Sequence, residues 1–582
     1  MLPREQRQAV RDLLEAALSC EPATRAQFIR DASHGDEALS DEALRLLERI
    51  EATHADTSSD LRSTSETLDW VLRDLPDAGR AAAAAPQEFV GTARFEVRRT
   101  LGSGGFGTVY ESYDREQHQL VALKVLRRSD PVFLYRFKRE FRALVDIRHQ
   151  NLVELYELFS ERDAWFFTME LVRGTDFLRY VARRDRAVAE TGCAACDVAR
   201  LRLSVVQLAE GILALHGAGL VHRDVKPGNV LVTPDGRVRL LDFGLVREMD
   251  LSSAASVAIV GTPAYMAPEQ RAQLPSGTAA DWYSFGVMLF QALTGSLPRR
   301  TNPFATSQPS PIVALELLVD VPHDLKTLCR DLLDPDPATR PPGVDVLRRL
   351  GAASRPEASD VPASADELVI GQEPQLSHLR ELLELTRRGR AVVVNVSGES
   401  GIGKSTLLRS FRRTLARTDP DIVILTGRCH QNETVPYKGL DDLVDGLSNY
   451  LKALPPIEVE ALVPRDAPSL IRMFPVLAQV EGIASVRRKS MDVVDAQELR
   501  RRAFASLQDL FARLSERQTL VLAIDDLQWS DLDSAAFLRD LFVTLSPPSV
   551  LFIASYRAED ANTSPFLQSW RYNLAGAASL TV

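Results

Sequence analysis

The stretch Val221-His-Arg-Asp-Val-Lys-Pro-Gly-Asn-Val-Leu-Val232 is apolar at both ends and charged in the middle. Asp224, Lys226 and Asn229 place a carboxylate, a cation and an amide oxygen in one short loop. Moving a phosphoryl group from ATP to a hydroxyl needs those three: a carboxylate at the hydroxyl, positive charge at the transferring phosphate and an oxygen ligand for a metal ion. For the stretch alone, a polar turn between two strands is the plain alternative.

The elements that must hold these groups come before and after it. Phe95 to Tyr110 runs strand-like into a glycine cluster, Leu101-Gly102-Ser-Gly104-Gly-Phe-Gly107, and out through Val109. Glycines let backbone lie close over phosphates, although a hairpin turn also explains such a cluster. Val121-Ala122-Leu-Lys124-Val-Leu126 is an apolar strand holding one lysine, which wants a partner if buried. Glu140, in the helical stretch Phe137 to Leu144, is the candidate; a solvated edge lysine with a surface glutamate is the other reading. Trp165 to Val172 reads as a further strand.

Together these segments resemble protein kinases. The loop matches the H-R-D-x-K-x-x-N pattern, and Lys226 two places after Asp224 resembles the Ser/Thr branch. The resemblance implies that Asp224 orients the hydroxyl, that Lys124 and Lys226 hold phosphates, and that Glu140 pairs with Lys124. It implies an ATP site in which Leu101, Gly102, Gly104 and Gly107 cover the phosphates. Val109, Ala122 and Leu231 would sandwich the adenine, Glu170 and Val172 would hold its edge, and Met169 would be the gatekeeper. Asp242-Phe243-Gly244 resembles D-F-G, so Asp242 and Asn229 would hold Mg²⁺. The run ending Ala267-Pro268-Glu269 resembles the close of an activation segment. Arg223 implies a phosphate on that segment, with autophosphorylation of Ser252, Ser253, Ser256 or Thr262 as the source. Asp281 opens a helix that would anchor the catalytic loop, and Arg340 would pair with Glu269. The likeness is to bacterial (Hanks-type) Ser/Thr kinases, a bilobal α+β fold, over residues 90–351.

A second nucleotide signature follows. Ala391 to Ser397 is a β-branched strand leading into Gly398-Glu-Ser-Gly-Ile-Gly403-Lys404-Ser405-Thr406 and then a helical pattern. That order suits a P-loop: backbone N–H groups and a helix N-terminus face phosphates, Lys404 reaches their outer oxygens and Ser405 meets Mg²⁺. A buried strand ending in acids should accompany it, and Leu520 to Asp525-Asp526 provides one. Asp525 would hold the metal and Asp526 would position water. A third apolar strand ends at Arg557, suited to sensing the outer phosphate. The region resembles AAA-related signal-transduction ATPases of the STAND class, an α/β P-loop fold with a parallel sheet, over 368–582. Asp526 stands where the AAA pattern usually has a glutamate, and no lid follows Arg557. The chain is therefore expected to be a piece of a longer protein.

The chain has 582 residues, enough for two to four domains. A net charge of -10 with both signs interspersed argues against a nucleic-acid-binding protein. Five cysteines are few and odd in number, so a disulfide framework is not expected. Cys193 and Cys196 make half a zinc site at most. The polar start lacks a signal peptide, and no apolar run suffices to cross a bilayer, so a cytoplasmic protein without membrane partners is expected. Residues 1–55 read as a small helical segment and 56–89 as a linker. The kinase-like domain follows over 90–351, then a linker over 352–367 and the P-loop domain over 368–582. The function expected is ATP-dependent phosphorylation of protein Ser/Thr hydroxyls, coupled to a nucleotide-binding module capable of self-association. A catalytically silent nucleotide-gated scaffold is the alternative.

Overall fold

Strands Phe95–Ser103 (β1), Gly107–Asp114 (β2) and Gln119–Leu126 (β3) form an antiparallel meander, and β3 leads into helix Pro131–Leu144 (α1). Leu155–Glu161 (β4) and Ala164–Glu170 (β5) complete the sheet in the order β1-β2-β3-β5-β4. These features belong to a computed structural model. It describes residues 89–582 except 104–106, 127–130, 162–163, 184–194, 242–246, 249–263, 273, 299–310, 352–371, 420, 486–494, 544–546 and 574–577. Before residue 89 it describes Ile29, Leu44 and Leu47, all helical, with Ile29 and Leu47 buried. The rest of the expected N-terminal helices, both linkers apart from Phe89, and Cys193 lie outside the described residues.

Alternation makes the sheet two-faced. Phe95, Val121, Leu123, Phe159 and Phe166 bury one face as a small core. On α1, Leu134, Phe137, Phe141 and Leu144 recur at helical spacing and are buried. Two cations of that helix, Lys138 and Arg142, are buried as well.

The second lobe is helical. Val198–Gly217 (α2) is capped by Asp197, whose carboxylate accepts the N–H groups of Ala199 and Arg200. The loop that carries Asp224, Lys226 and Asn229 runs from Leu220–Val221 through a 3-10 turn at Pro227–Asn229 into Val230–Val232 (β6), which pairs with Val238–Leu240 (β7). Ala279–Thr294 (α3) lies beneath it, buried almost throughout, and His323–Leu332 (α4) packs on α3.

The P-loop domain is a parallel sheet. Val392–Gly398 (β8) is followed by helix Lys404–Thr418 (α5), then Ile422–Arg428 (β9), the two-residue strand Glu433–Thr434 (β10) and helix Lys438–Ala453 (α6). Thr519–Asp525 (β11), Val550–Arg557 (β12) and Ala578–Thr581 (β13) complete the set. Strand order is β9-β11-β12-β8-β13, all parallel. The near-continuous apolar runs of β11 and β12 are what a sheet covered on both faces requires. Register puts Gly398 beside Arg557 and Arg428 beside Asp525, gathering the site at the carboxyl ends of the strands.

Residues Phe89–Val582 form one unit. Within it β10 pairs parallel with β4, giving the first sheet a sixth strand from the P-loop domain. Beside that junction Lys138 and Arg142 face Glu433, Asp441, Asp442 and Asp445. Four carboxylates against two cations leave the cluster short of positive charge. Burial, with Asp441 and Asp442 nearby, pushes the Asp445 carboxyl up to about 7 against the pull of Lys138 and Arg142. Lys452 also feels Asp445. Because the folded value lies above the ordinary 3.8, the contribution to stability is complete below pH 3.8 and lost as pH rises to about 7. Melting curves between pH 5 and 8 should therefore show wild type losing stability relative to Asp445→Asn up to about 7 and no further. A pH-independent difference would refute the assignment.

Candidate active sites

Lys124 sits mid-strand in β3, and its side chain is 6% exposed. Its Nζ reaches Glu140 Oε1 of α1 at 2.9 Å, so strand and helix are closed on each other. Gly107 and Val109 of β2 pair with Leu126 and Lys124, and Ala122 pairs with Met169 of β5. Gly107, Lys124 and Glu170 thus lie on three neighbouring strands. Leu101 and Gly102 are exposed near the end of β1, while Gly104 lies outside the described residues.

In the helical lobe, the carboxylate of Asp224 receives Lys226 Nζ at 2.7 Å and Asn229 Nδ2 at 3.1 Å. Asn229 Nδ2 also donates to the Asp224 carbonyl at 2.9 Å, so the amide oxygen is the atom Asn229 can offer a metal. Asp281 of α3 fixes the loop from below: its carboxylate accepts His222 N–H at 2.8 Å and Arg223 N–H at 2.6 Å. His216 Nε2 is 2.9 Å away. Burial opposes the Asp281 charge, but the His216 hydrogen bond and the surrounding donors prevail and hold its pKa below the ordinary value. Arg223 has φ 68°, left-handed backbone for a bulky residue, and such strain persists where neighbours over-determine it. The two Asp281 bonds do that.

Asp242, Phe243 and Gly244 lie outside the described residues, as do Ser252, Ser253, Ser256 and Thr262. The residue before Asp242 is placed: Leu241 N–H donates to the Asn229 carbonyl at 2.7 Å. Leu231 is half-buried in β6, one residue beyond Val230. Glu269 and Arg340 meet in a buried bidentate pair at 2.7 and 2.9 Å.

In the second site β8 turns through Gly398 into the loop and α5. Gly403 has φ 107°, and a Cβ there would come within 2.8 Å of Gln372, so the turn requires glycine. Lys404 Nζ spans the loop to the carbonyls of Gly398 at 2.9 Å and Glu399 at 2.7 Å. Ser405 Oγ bonds Asp525 Oδ2 at 2.6 Å, and Ser555 Oγ bonds the other oxygen. A hydroxyl and a carboxylate already paired at the head of a P-loop helix are the oxygen set that Mg²⁺ takes with a nucleotide. Thr406 follows on the same turn, half-buried. Asp526, left-handed at φ 55°, accepts Arg428 Nε at 3.0 Å and Gln528 Nε2 at 3.0 Å. The Arg557 guanidinium lies 5.9 Å from the Trp529 ring centroid. Arg428 was not among the expected site residues. It closes β9 beside Asp525, a position only the sheet register reveals.

A two-lobed α+β domain followed by a parallel P-loop sheet is the fold of a protein kinase domain joined to an ATPase domain. Comparison with known proteins agrees: residues 95–349 match the protein kinase domain family and residues 368–553 the AAA ATPase domain family. The chain carries a Hanks-type protein kinase domain with an AAA ATPase domain fused C-terminally to it. It is similar to the serine/threonine-protein kinase PknA of Mycobacterium tuberculosis, 31% identical over 284 residues, which is 46% of this chain and 63% of that protein. It is also similar to the serine/threonine-protein kinase pkn2 of Myxococcus xanthus, 32% identical over 287 residues, 46% of this chain and 33% of the relative. A third relative is the serine/threonine-protein kinase PknL of Mycobacterium tuberculosis, 37% identical over 210 residues, 35% of this chain and 50% of the relative. The chain thus spans between a third and two thirds of the length of these curated relatives. Among the described residues, no helix is long and apolar enough to cross a membrane.

Proposed function

We propose that the chain transfers the γ-phosphate of ATP to protein serine and threonine hydroxyls, and that its ATPase domain binds a second nucleotide as a STAND-type switch. The closed Lys124–Glu140 pair carries the reading, supported by the Asp224–Lys226–Asn229 loop, because phosphoryl transfer needs that ion pair formed as well as a carboxylate to meet the hydroxyl. Asp224 orients the incoming hydroxyl and accepts its proton. Lys226, beside that carboxylate, and Lys124, fixed by Glu140, hold the phosphates. Leu101, Gly102, Gly104 and Gly107 cover them, and Val109, Ala122, Glu170, Val172 and Leu231 hold the base. Asn229 and Asp242 hold Mg²⁺, which when bound neutralises charge on the phosphates. In the second site Gly398, Gly403, Lys404, Thr406 and Arg557 take the phosphates, and Ser405 and Asp525 the metal. Phosphates on Ser252, Ser253, Ser256 or Thr262 would pair with Arg223. The buried free cysteines Cys196, Cys329 and Cys429 suit a reducing cytoplasm.

Two tests follow. A labelled ATP analogue should saturate at two per chain, falling to one with Lys404→Ala; one per wild-type chain would remove the second site. Purified wild type should pass labelled phosphate from ATP to a generic Ser/Thr acceptor protein, and transfer should persist in Lys404→Ala. No transfer from wild type would leave a scaffold.

A further inference from the structure

Helix α1 is gripped from two sides. On one, Glu140 meets Lys124 at 2.9 Å. On the other, Lys138 and Arg142 reach into the ATPase domain: Lys138 Nζ lies 2.8 Å from Asp441 and 3.0 Å from Asp445. Arg142 spreads over Glu433 at 2.7 and 3.1 Å and Asp441 at 2.6 Å. With side chains 2% and 9% exposed, these are not surface pairs of small worth but buried charges. Undocking the domains would leave both cations and the acids without partners. Backbone contacts reinforce the seat: Leu158 N–H donates to Asn432 at 2.9 Å, and Gln479 Nε2 donates to the Pro131 carbonyl at 3.0 Å.

The same seat reaches the second nucleotide site. Arg428 Nη1 pairs with Asp146, two residues beyond α1, at 3.1 Å, while its Nε pairs with Asp526 at 3.0 Å. Its N–H donates to Asp442 at 2.9 Å, and Asp442 also receives Arg142 at 3.4 Å. A cavity of about 210 Å³ opens at this junction, lined by Asp146 and Arg148 of the kinase domain and Arg428, Asp526, Trp529 and Arg557 of the ATPase domain. The acid expected to position water in one site and the turn that follows the helix bearing Glu140 therefore share one arginine.

We propose that the ATPase domain regulates the kinase within the same chain: α6 and β10 clamp α1 so that Glu140 stays on Lys124, and Arg428 ties that clamp to the nucleotide bound at Lys404. Lys138 and Arg142 are then positioning residues, acting on the reaction through Glu140. A phosphate anion arriving beside Asp526 competes with Asp146 for the Arg428 guanidinium. The clamped and loosened arrangements thus differ in affinity for nucleotide, which is what coupling between two sites requires. Nucleotide at the P-loop loosens the clamp and slows transfer.

The inference rests on the proposed kinase activity, so the test includes a readout independent of it. Full-length wild type, Lys404→Ala, Arg428→Ala, the Arg428→Ala/Lys404→Ala double variant and Lys138→Met/Arg142→Met are compared in phosphate transfer with ATP and in backbone hydrogen exchange across 131–144. The Lys138→Met/Arg142→Met chain should exchange faster across α1 and lose at least about 5-fold in kcat. With ATP present, Lys404→Ala should exchange more slowly there and transfer about 5-fold faster than wild type. In the Arg428→Ala background that difference should vanish. Arg428 is half-exposed, so its variant keeps the test open should the buried double variant fail to fold. The proposal is overturned if α1 exchange in Lys138→Met/Arg142→Met matches wild type, or if Lys404→Ala has the same effect with and without Arg428. Absence of transfer from wild type would instead overturn the kinase reading, and exchange across α1 would still judge the clamp.

Discussion

Asp224→Asn is expected to lower kcat for phosphate transfer by about 10²–10⁴-fold, the range that a positioned general base contributes. The substitution keeps shape and one acceptor oxygen, so Asn229 Nδ2, now 3.1 Å from the carboxylate, retains a partner. What goes is the charge that meets Lys226 at 2.7 Å and the capacity to take the hydroxyl's proton. The loop itself stays in place, because Asp281 holds it through the His222 and Arg223 N–H groups and not through Asp224. KM for ATP should therefore move by less than about threefold while kcat collapses, the signature of an interaction made in the transition state. Steady-state kinetics with labelled ATP decide it. A kcat within threefold of wild type would mean that Asp224 neither orients nor deprotonates the acceptor, and the whole loop would need another role.

The kinase motifs were legible because their chemistry is local: glycines at a turn, a lysine inside an apolar strand and charges in a loop flanked by β-branched residues each announce themselves within a dozen positions. The Lys124–Glu140 pair, 16 positions apart, was legible through the resemblance to kinases; taken alone, a solvated edge lysine and a surface glutamate was the plainer reading. The P-loop was legible for the same reason, since strand, glycine loop and helix are consecutive. The junction between the domains was not. Lys138 and Asp441 are 303 positions apart, and each alone reads as an ordinary charge on an amphipathic helix. Their burial follows from two surfaces meeting, which no spacing within either helix encodes. Strand β10, two residues long, is invisible for the same reason: it exists only because β4 presents an edge to it. Asp441 and Asp445 at i,i+4, like Lys138 and Arg142, were the one available hint, matching acidic and basic faces of equal pitch.

Arg340→Ala is expected to cost about 3–5 kcal/mol, the penalty for removing one partner of a buried ion pair. The guanidinium is fully exposed to protein and to nothing else: its side chain is 0% accessible. Beyond both Glu269 oxygens it serves the carbonyls of Asp334 at 2.8 Å, Ala279 at 2.9 Å and Pro335 at 3.1 Å. Alanine would leave the Glu269 carboxylate without its guanidinium and take a donor from three carbonyls, in a space too well enclosed for easy rescue by water. Arg340→Lys keeps the charge but not the planar fork, so it should fall between the two. For a domain of this size the kinase transition should move down by roughly 6–20 °C, at about 2–4 °C per kcal/mol. The ATPase transition should stay, provided calorimetry resolves the two. Pairing Arg340→Met with Glu269→Gln removes the stranded charge, so the double variant should be more stable than the sum of the singles predicts. Glu269 closes the segment that follows the catalytic loop, and the pair pins it to the start of α3, the helix whose Asp281 holds His222 and Arg223. Loss of the pair should therefore reach activity through the loop, as a kcat decrease that appears at temperatures below the melting transition. A melting shift under about 2 °C for Arg340→Ala would show that the pair is replaceable and that the loop is braced by Asp281 alone.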